Sequence, residues 1–177
     1  IAIKAQDAND VGVAAEGRVR LLKARWVEVW TGPDGKELTG NALKKRRTEG
    51  PFPPNWERTK AEYTFDEVRS SRVTTDAEGD GEWSVTPPGP GTYVVRWVSE
   101  DPRGGEIEGE VWLWVVAPGT RDIGFHHAGL GLVVDKDSFA AGEPGHAMLV
   151  AESSGRWVLF SVEAEGVIEW RVLKMDG

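Results

Sequence analysis

Apolar and polar residues alternate along most of this chain with a period of two, which is the signature of half-buried strands rather than helices. Ile1 and Ile3 alternate with Ala2 and Lys4 and predict a short opening strand, which Asp7-Ala8-Asn9-Asp10-Val11-Gly12 turns. The longest such run is Gly17 to Trp30, with Val19 and Leu21 on one face and Val27 and Val29 on another. β-Branched and aromatic residues dominate after Arg25 and a Gly-Pro pair closes the run, so a strand is expected there rather than a helix. A change of phase near Leu21-Leu22 predicts a bulge or two strands end to end.

The stretch from Thr74 to Val98 organises the rest and reads strand, turn, strand, turn, strand. Asp76 to Gly81 carries two glycines and is expected to reverse the chain. Trp83-Ser84-Val85 has the pattern of a half-buried strand, and Pro87 to Gly91 forbids both helix and central strand. Tyr93, Val95 and Trp97 then oppose Val94, Arg96 and Val98. Upstream, Tyr63–Phe65 and Ser70–Thr75 read as strands, while 31–60 is the least regular part. Beyond a turn at 99–105, Ile107 to Val116 alternates with both faces apolar, which predicts a central strand or one packed against a neighbouring domain.

Ala117-Pro118-Gly119-Thr120 ends that strand, and the expected division is a β-sandwich over 1–118, a linker over 119–128 and a second unit over 129–177. The second unit offers four strands, at 132–135, 147–150, 157–162 and 167–173. Two packed antiparallel sheets usually need about seven, so this domain is expected to be partial. The fold class is thus all-β: tandem immunoglobulin/fibronectin III-like antiparallel sandwiches, the second incomplete.

Composition narrows the function classes. With 40% apolar and 28% charged residues the 177-residue chain falls among globular domains. A net charge of −8 repels a nucleic-acid backbone, so no nucleic-acid partner is expected. Cysteine is absent, which removes disulfides, cysteine nucleophiles and cysteine-based zinc sites. No apolar run approaches the roughly 18 residues of a membrane span, so no direct membrane insertion is expected. The chain opens on Ile1 without a signal-like segment and reads as a piece of something longer.

Candidate chemistry is sparse. Asp76, Glu78, Asp80 and Gly81 match the opening of a calcium loop, but the twelfth position, where a bidentate carboxylate belongs, is Pro87, and a solvated hairpin turn is favoured. His126 and His127 are adjacent on an extended segment and point apart, and His146 sits in a turn without a visible ligand partner, so no metal site is assigned. No nucleophile elbow, P-loop, dinucleotide fingerprint or His-Glu-x-x-His occurs, so the segment is read as non-enzymatic and without cofactor. Lys44, Lys45, Arg46 and Arg47 form a basic run within the irregular region, read as a solvated excursion in a long hairpin connection or as a protease-exposed loop. Nine tryptophans suit the pleated surfaces of a β-sandwich core, and the alternative is a glycan-stacking surface.

Two passages carry a resemblance. Thr74-Thr75-Asp76-Ala77-Glu78-Gly79, followed by Gly91-Thr92-Tyr93-Val94-Val95 and Glu100-Asp101-Pro102-Arg103-Gly104-Gly105, is similar to a Thr-Asp-x-x-Gly turn, a Gly-x-Tyr strand and an Asp-x-x-Gly hairpin. Val134-Asp135-Lys136-Asp137-Ser138-Phe139-Ala140-Ala141-Gly142-Glu143 is similar to an Asp-Lys-x-x-Tyr-x-x-Gly-Glu opening of a following domain, with Phe139 in place of tyrosine. In this order they resemble the alpha-2-macroglobulin-like proteins of bacteria, large envelope proteins built from consecutive macroglobulin β-sandwich domains.

The resemblance implies a suicide trap, in which a protease cuts a bait segment, the domains collapse around it and an internal thioester tethers it. The thioester needs a Cys-x-Glu-Gln motif, and with no cysteine present no residue here inherits that role. The implied role is scaffold, in the periplasm or elsewhere in the cell envelope or outside the cell. Its partners would be neighbouring macroglobulin domains and, through the full-length parent, target proteases. The alternative is an adhesive or glycan-binding β-sandwich module of a surface protein. That reading expects two or three of Trp26, Trp30, Trp56, Trp112 and Trp114 to be coplanar and exposed.

Overall fold

A computed structural model describes residues 1–101, 104–152 and 155–175. Strands make up 54% of it and there is one short helix, so the chain is all-β, with antiparallel sheets of sandwich type. It divides into two compact units, 1–43 with 54–125 and 44–53 with 126–177.

The first unit contains β1 (Ala2–Lys4), β2 (Glu16–Thr31), β3 (Glu37–Thr39), β4 (Glu57–Thr74), β5 (Asp80–Glu82), β6 (Gly91–Glu100) and β7 (Glu106–Val115). Strand β2 is its axis. One edge of β2 pairs with β4 over its whole length, and the other edge is shared by β6, along Gly17–Ala24, and β3, along Val29–Thr31, giving a five-stranded antiparallel sheet. Its ladder with β4 slips between Leu21 and Leu22, where the sequence places a phase change, but the extra residue belongs to the partner strand: Leu21 faces Arg69, Leu22 faces Glu67, and Val68 is the bulge. The two strands expected at 63–65 and 70–75 are one continuous strand, β4.

Alternation along these strands decides which face each side chain joins. Val19, Leu21, Tyr93, Val95 and Trp97 point to one face, where Ile3, Ala5 and Trp83 cover them. Val19, Leu21 and Tyr93 are fully buried there. The covering layer is the two-stranded ribbon of β1 with β5 and the segment around it. On the opposite face Leu22, Ala24 and Val94 are buried against Tyr63 and Trp112.

Three local expectations change. Strand β5 lies at Asp80–Glu82, overlapping the end of the turn expected over Asp76–Gly81, and Trp83-Ser84-Val85 is not strand. Trp83 and Val85 still face the core: Trp83 exchanges backbone bonds with Ile1 (2.9 and 3.0 Å), and period-two facing carries on from it to Val85. Strand β7 is an edge rather than a centre, bonded to β6 alone; Glu106, Glu108 and Glu110 on it are the charges that discourage edge-to-edge pairing. The irregular region contains α1 (Gly40–Thr48), followed by Pro51-Phe52-Pro53-Pro54 outside any strand. Of the turn expected at 99–105, Asp101 accepts from Gly104 N (2.8 Å) and donates its own amide to Gly105 O (2.7 Å), while Pro102 and Arg103 lie outside the described residues.

The second unit contains two antiparallel hairpins, β8 (Leu130–Val134) with β9 (Ala147–Ala151) and β10 (Arg156–Glu163) with β11 (Val167–Met175). Of the stretch expected to be a linker, Ile123 and Gly124 bond to the first unit's sheet: Thr92 N donates to Ile123 O (2.8 Å) and Trp26 N to Gly124 O (2.9 Å). Among the described residues no helix is long and apolar enough to cross a membrane.

Candidate functional site

The two passages singled out in the sequence each fold into a locally closed joint. In the first, Thr75 is 1% exposed and its hydroxyl works in both directions, donating to Val13 O and accepting from Ala15 N, each at 2.9 Å. Its amide donates to Ala15 O at 2.9 Å, so one residue ties the end of β4 to the segment entering β2. Asp76 then closes the turn: its carboxylate accepts from Asp80 N at 2.8 Å and its carbonyl from Gly79 N at 3.0 Å. Gly79 adopts φ +83°, and a Cβ there would lie 2.1 Å from Ala5 O, so both backbone conformation and space demand glycine.

Of the calcium-like pattern, the Asp76 carboxylate is taken up by this turn and that of Asp80 by Lys4. Lys4 Nζ donates to Asp80 Oδ1 and to the carbonyl of Glu78, each at 2.9 Å. Among the described residues no group of three or more His, Asp or Glu side chains converges as a metal cage would require.

The second passage is the connection between β8 and β9. Asp135 and His146 stand at its two ends. Asp135 Oδ2 lies 3.0 Å from His146 Nδ1 and accepts from His146 N at 3.2 Å, while Asp135 N donates to His146 O at 3.1 Å. Within the loop Lys136 pairs with Glu143, whose other oxygen accepts from Ala140 N at 2.9 Å. The Lys136 ammonium also sits over the Phe139 ring, 5.1 Å from its centre. Hydrogen bonding from His146 holds the Asp135 carboxyl below its ordinary range, and the bond from Lys136 does the same for Glu143. His146, read from sequence as lacking a carboxylate partner, has Asp135 opposite it; sequence reasoning missed the pair because ten residues separate them and only the hairpin brings them together.

The basic run is helical, not a loop. Ala, Leu, Lys and Arg are good helix formers, and Lys45, Arg46 and Arg47 in the last turn of α1 face the negative end of its dipole. Lys44 and Lys45 are exposed, and Arg46 and Arg47 half-buried. Arg46 donates to the carbonyls of Gly50 (3.2 Å) and Pro51 (2.9 Å), and its guanidinium lies over Phe52 at 5.2 Å. A protease that binds extended backbone would first have to unwind this helix.

Aromatic side chains gather on the second face of the five-stranded sheet. Trp26 meets Tyr63 at 68° and Tyr63 meets Trp112 at 64°, with centroids 5.1 and 5.0 Å apart. Trp114 meets Phe125 at 77°. These edge-to-face angles belong to rings packing on one another. No family model, curated protein or solved structure matches this chain.

Proposed function

We propose that this chain is a non-catalytic scaffold segment of a bacterial alpha-2-macroglobulin-like protease trap, an endopeptidase inhibitor of the cell envelope. The observation that carries the reading is the use made of the two resembling passages. Both tie polar side chains to the chain's own backbone and so hold strands at fixed positions: the buried Thr75 between β4 and the approach to β2, and the exposed Asp135 and Glu143, through His146 N and Ala140 N, across the β8–β9 connection. Residues used in this way fix shape, as a trap requires of the parts that carry its bait and its reactive group. The adhesive alternative needs rings lying flat side by side, and the edge-to-face set around Tyr63 gives it no support.

Two measurements test the proposal. The encoding reading frame, followed in both directions, is expected to specify further β-sandwich domains of the same pattern; unrelated surface repeats would sink it. The isolated chain, incubated with trypsin-like and chymotrypsin-like enzymes, is expected to leave their activity on small and large substrates unchanged. Inhibition by the chain alone would contradict the scaffold role.

A further inference from the structure

The β10–β11 hairpin carries one face on which apolar side chains stand in solvent. Trp157, Leu159, Ile168, Trp170 and Val172 are between 53% and 69% exposed, whereas on the other face of β10 Val158 is 7% and Val162 41% exposed. Register places four of them in one patch, Trp157 opposite Lys174, Leu159 opposite Val172 and Ser161 opposite Trp170, and Ile168, two residues from Trp170 along β11, adjoins it at the bulge. Side chains of this size exposed to this degree present on the order of 600 Å² of surface, the upper end of what a monomer normally shows. Two such faces brought together would bury about 1,200 Å², the lower bound for a specific protein interface.

The charges at the ends of this face have opposite signs. Lys174 lies at the open end beside Trp157. Glu163 lies at the turn end, on the same face, since Ser161 Oγ donates to Glu163 Oε1 at 2.8 Å across two residues of strand. An arrangement that reverses one hairpin against another therefore sets Lys174 of each copy near Glu163 of the other, while a parallel one sets like charges together. We propose that this face binds a second copy of the same chain, two hairpins packing face to face with their directions opposed. The inference rests on exposure, register and end charges, and under the scaffold reading further strands of the second sandwich would compete with the second copy for this same face.

The test uses the whole 177-residue chain in light scattering and sedimentation over a range of concentration. The mass per particle is expected to rise from the 19.4 kDa of one chain towards twice that value, and to stop there. Leu159→Lys, at a position 69% exposed in the monomer, is expected to abolish the rise while leaving the far-ultraviolet spectrum unchanged. Glu163→Lys and Lys174→Glu each replace two attractive contacts by repulsive ones, and each is expected to weaken pairing by about tenfold. An equimolar mixture of those two variants restores both contacts in the mixed pair, so its association is expected to return towards that of the parent. That rescue separates a directed pair from mere hydrophobic clustering. A monomer at every concentration overturns the proposal and assigns the face to a covering layer from elsewhere in a longer polypeptide. Growth beyond two copies, absence of rescue, or binding to phosphatidylcholine vesicles without self-association overturns it equally.

Discussion

The two units use the same sequence pattern and arrive at opposite results. In β2 and β6 alternation puts Val19, Leu21, Tyr93 and Val95 on a face that a second layer covers, and none of the four is more than 3% exposed. In β10 and β11 an equally regular alternation leaves Leu159 and Ile168 each 69% exposed. A strand's period states which side chains share a face and is silent on whether anything lies over it. The first unit's core exists because the segment from Ile1 to Ala15 and the ribbon through Trp83 fold back over the sheet. Hydrophobic stabilisation follows area removed from water, so the two faces should differ sharply in what they contribute.

The sharpest break of that comparison is truncation on each side. Tyr93→Ala, at a fully buried position whose hydroxyl also donates to Gly89 O (2.8 Å), is expected to cost about 3–5 kcal/mol in urea unfolding followed by tryptophan fluorescence. Leu159→Ala at low protein concentration is expected to change stability by about 0.5 kcal/mol or less. Similar costs at the two positions would mean that the β10–β11 face is covered in solution.

Glycines sharpen the same point at intermediate size. Gly79 and Gly142 have nearly equal positive φ, +83° and +80°, but a Cβ at Gly79 meets the Ala5 carbonyl at 2.1 Å whereas at Gly142 nothing lies within 4 Å. Gly142→Ala is expected to cost about 1 kcal/mol from backbone conformation alone. Gly79→Ala is expected to cost about 3 kcal/mol, because the covering segment must also shift. Equal values in parallel chemical denaturation would refute the close approach.

Much of the first unit was legible from residues. The axis strand, the inward set Tyr93, Val95 and Trp97 and the proline-interrupted connection before them follow from period two and from proline's missing donor. Three features were not, for separate physical reasons. Trp83 still exchanges backbone bonds with Ile1 (Trp83 N to Ile1 O, 3.0 Å; Ile1 N to Trp83 O, 2.9 Å), and Val85 keeps the facing of a strand beyond the end of the ladder, so alternation placed β5 a few residues late. Helix α1 buries only Leu43 and therefore carries no apolar stripe, which left propensity as its one signal. Strand β7 alternates as a central strand would, and only its pairing with β6 alone makes it an edge. The joints at Thr75 and Asp135 depend on partners 60 and 11 residues away, and no local pattern announces them.

The Thr75 joint is a separate, smaller test of the first unit. Thr75→Val keeps shape and β propensity while removing the hydroxyl, leaving Val13 O without its donor and Ala15 N without its acceptor. Loss of a buried bridging hydroxyl is expected to cost about 1–3 kcal/mol. A neutral result in thermal unfolding would show that water replaces the hydroxyl and that the joint is not closed.

Acid distinguishes the units by the smallest effect, and salt makes the distinction specific. Asp7 in the first unit is held below the ordinary carboxylate range by backbone amides, first of Val11 and then of Asn9. In the second unit Asp135 is lowered chiefly by the hydrogen bond with His146 and Glu143 chiefly by that with Lys136. Each carboxyl binds its proton more weakly folded than unfolded. Each therefore contributes stability that is present above the unfolded range, about pH 4, and lost as pH falls through the lower folded value. All three groups are exposed, so the readout is local: amide exchange at Val11 for the first loop, and at Ala140 and His146 for the second, from pH 6 down to 2. Loosening is expected at all three amides below about pH 4. Repeating the series in about 1 M salt should weaken protection at Ala140 already at pH 6, because the Lys136 ammonium that pairs with Glu143 is screened, and leave Val11 nearly unchanged, because backbone dipoles a hydrogen bond away are not. Equal salt sensitivity in the two loops would mean that Lys136 does not hold the β8–β9 connection through charge.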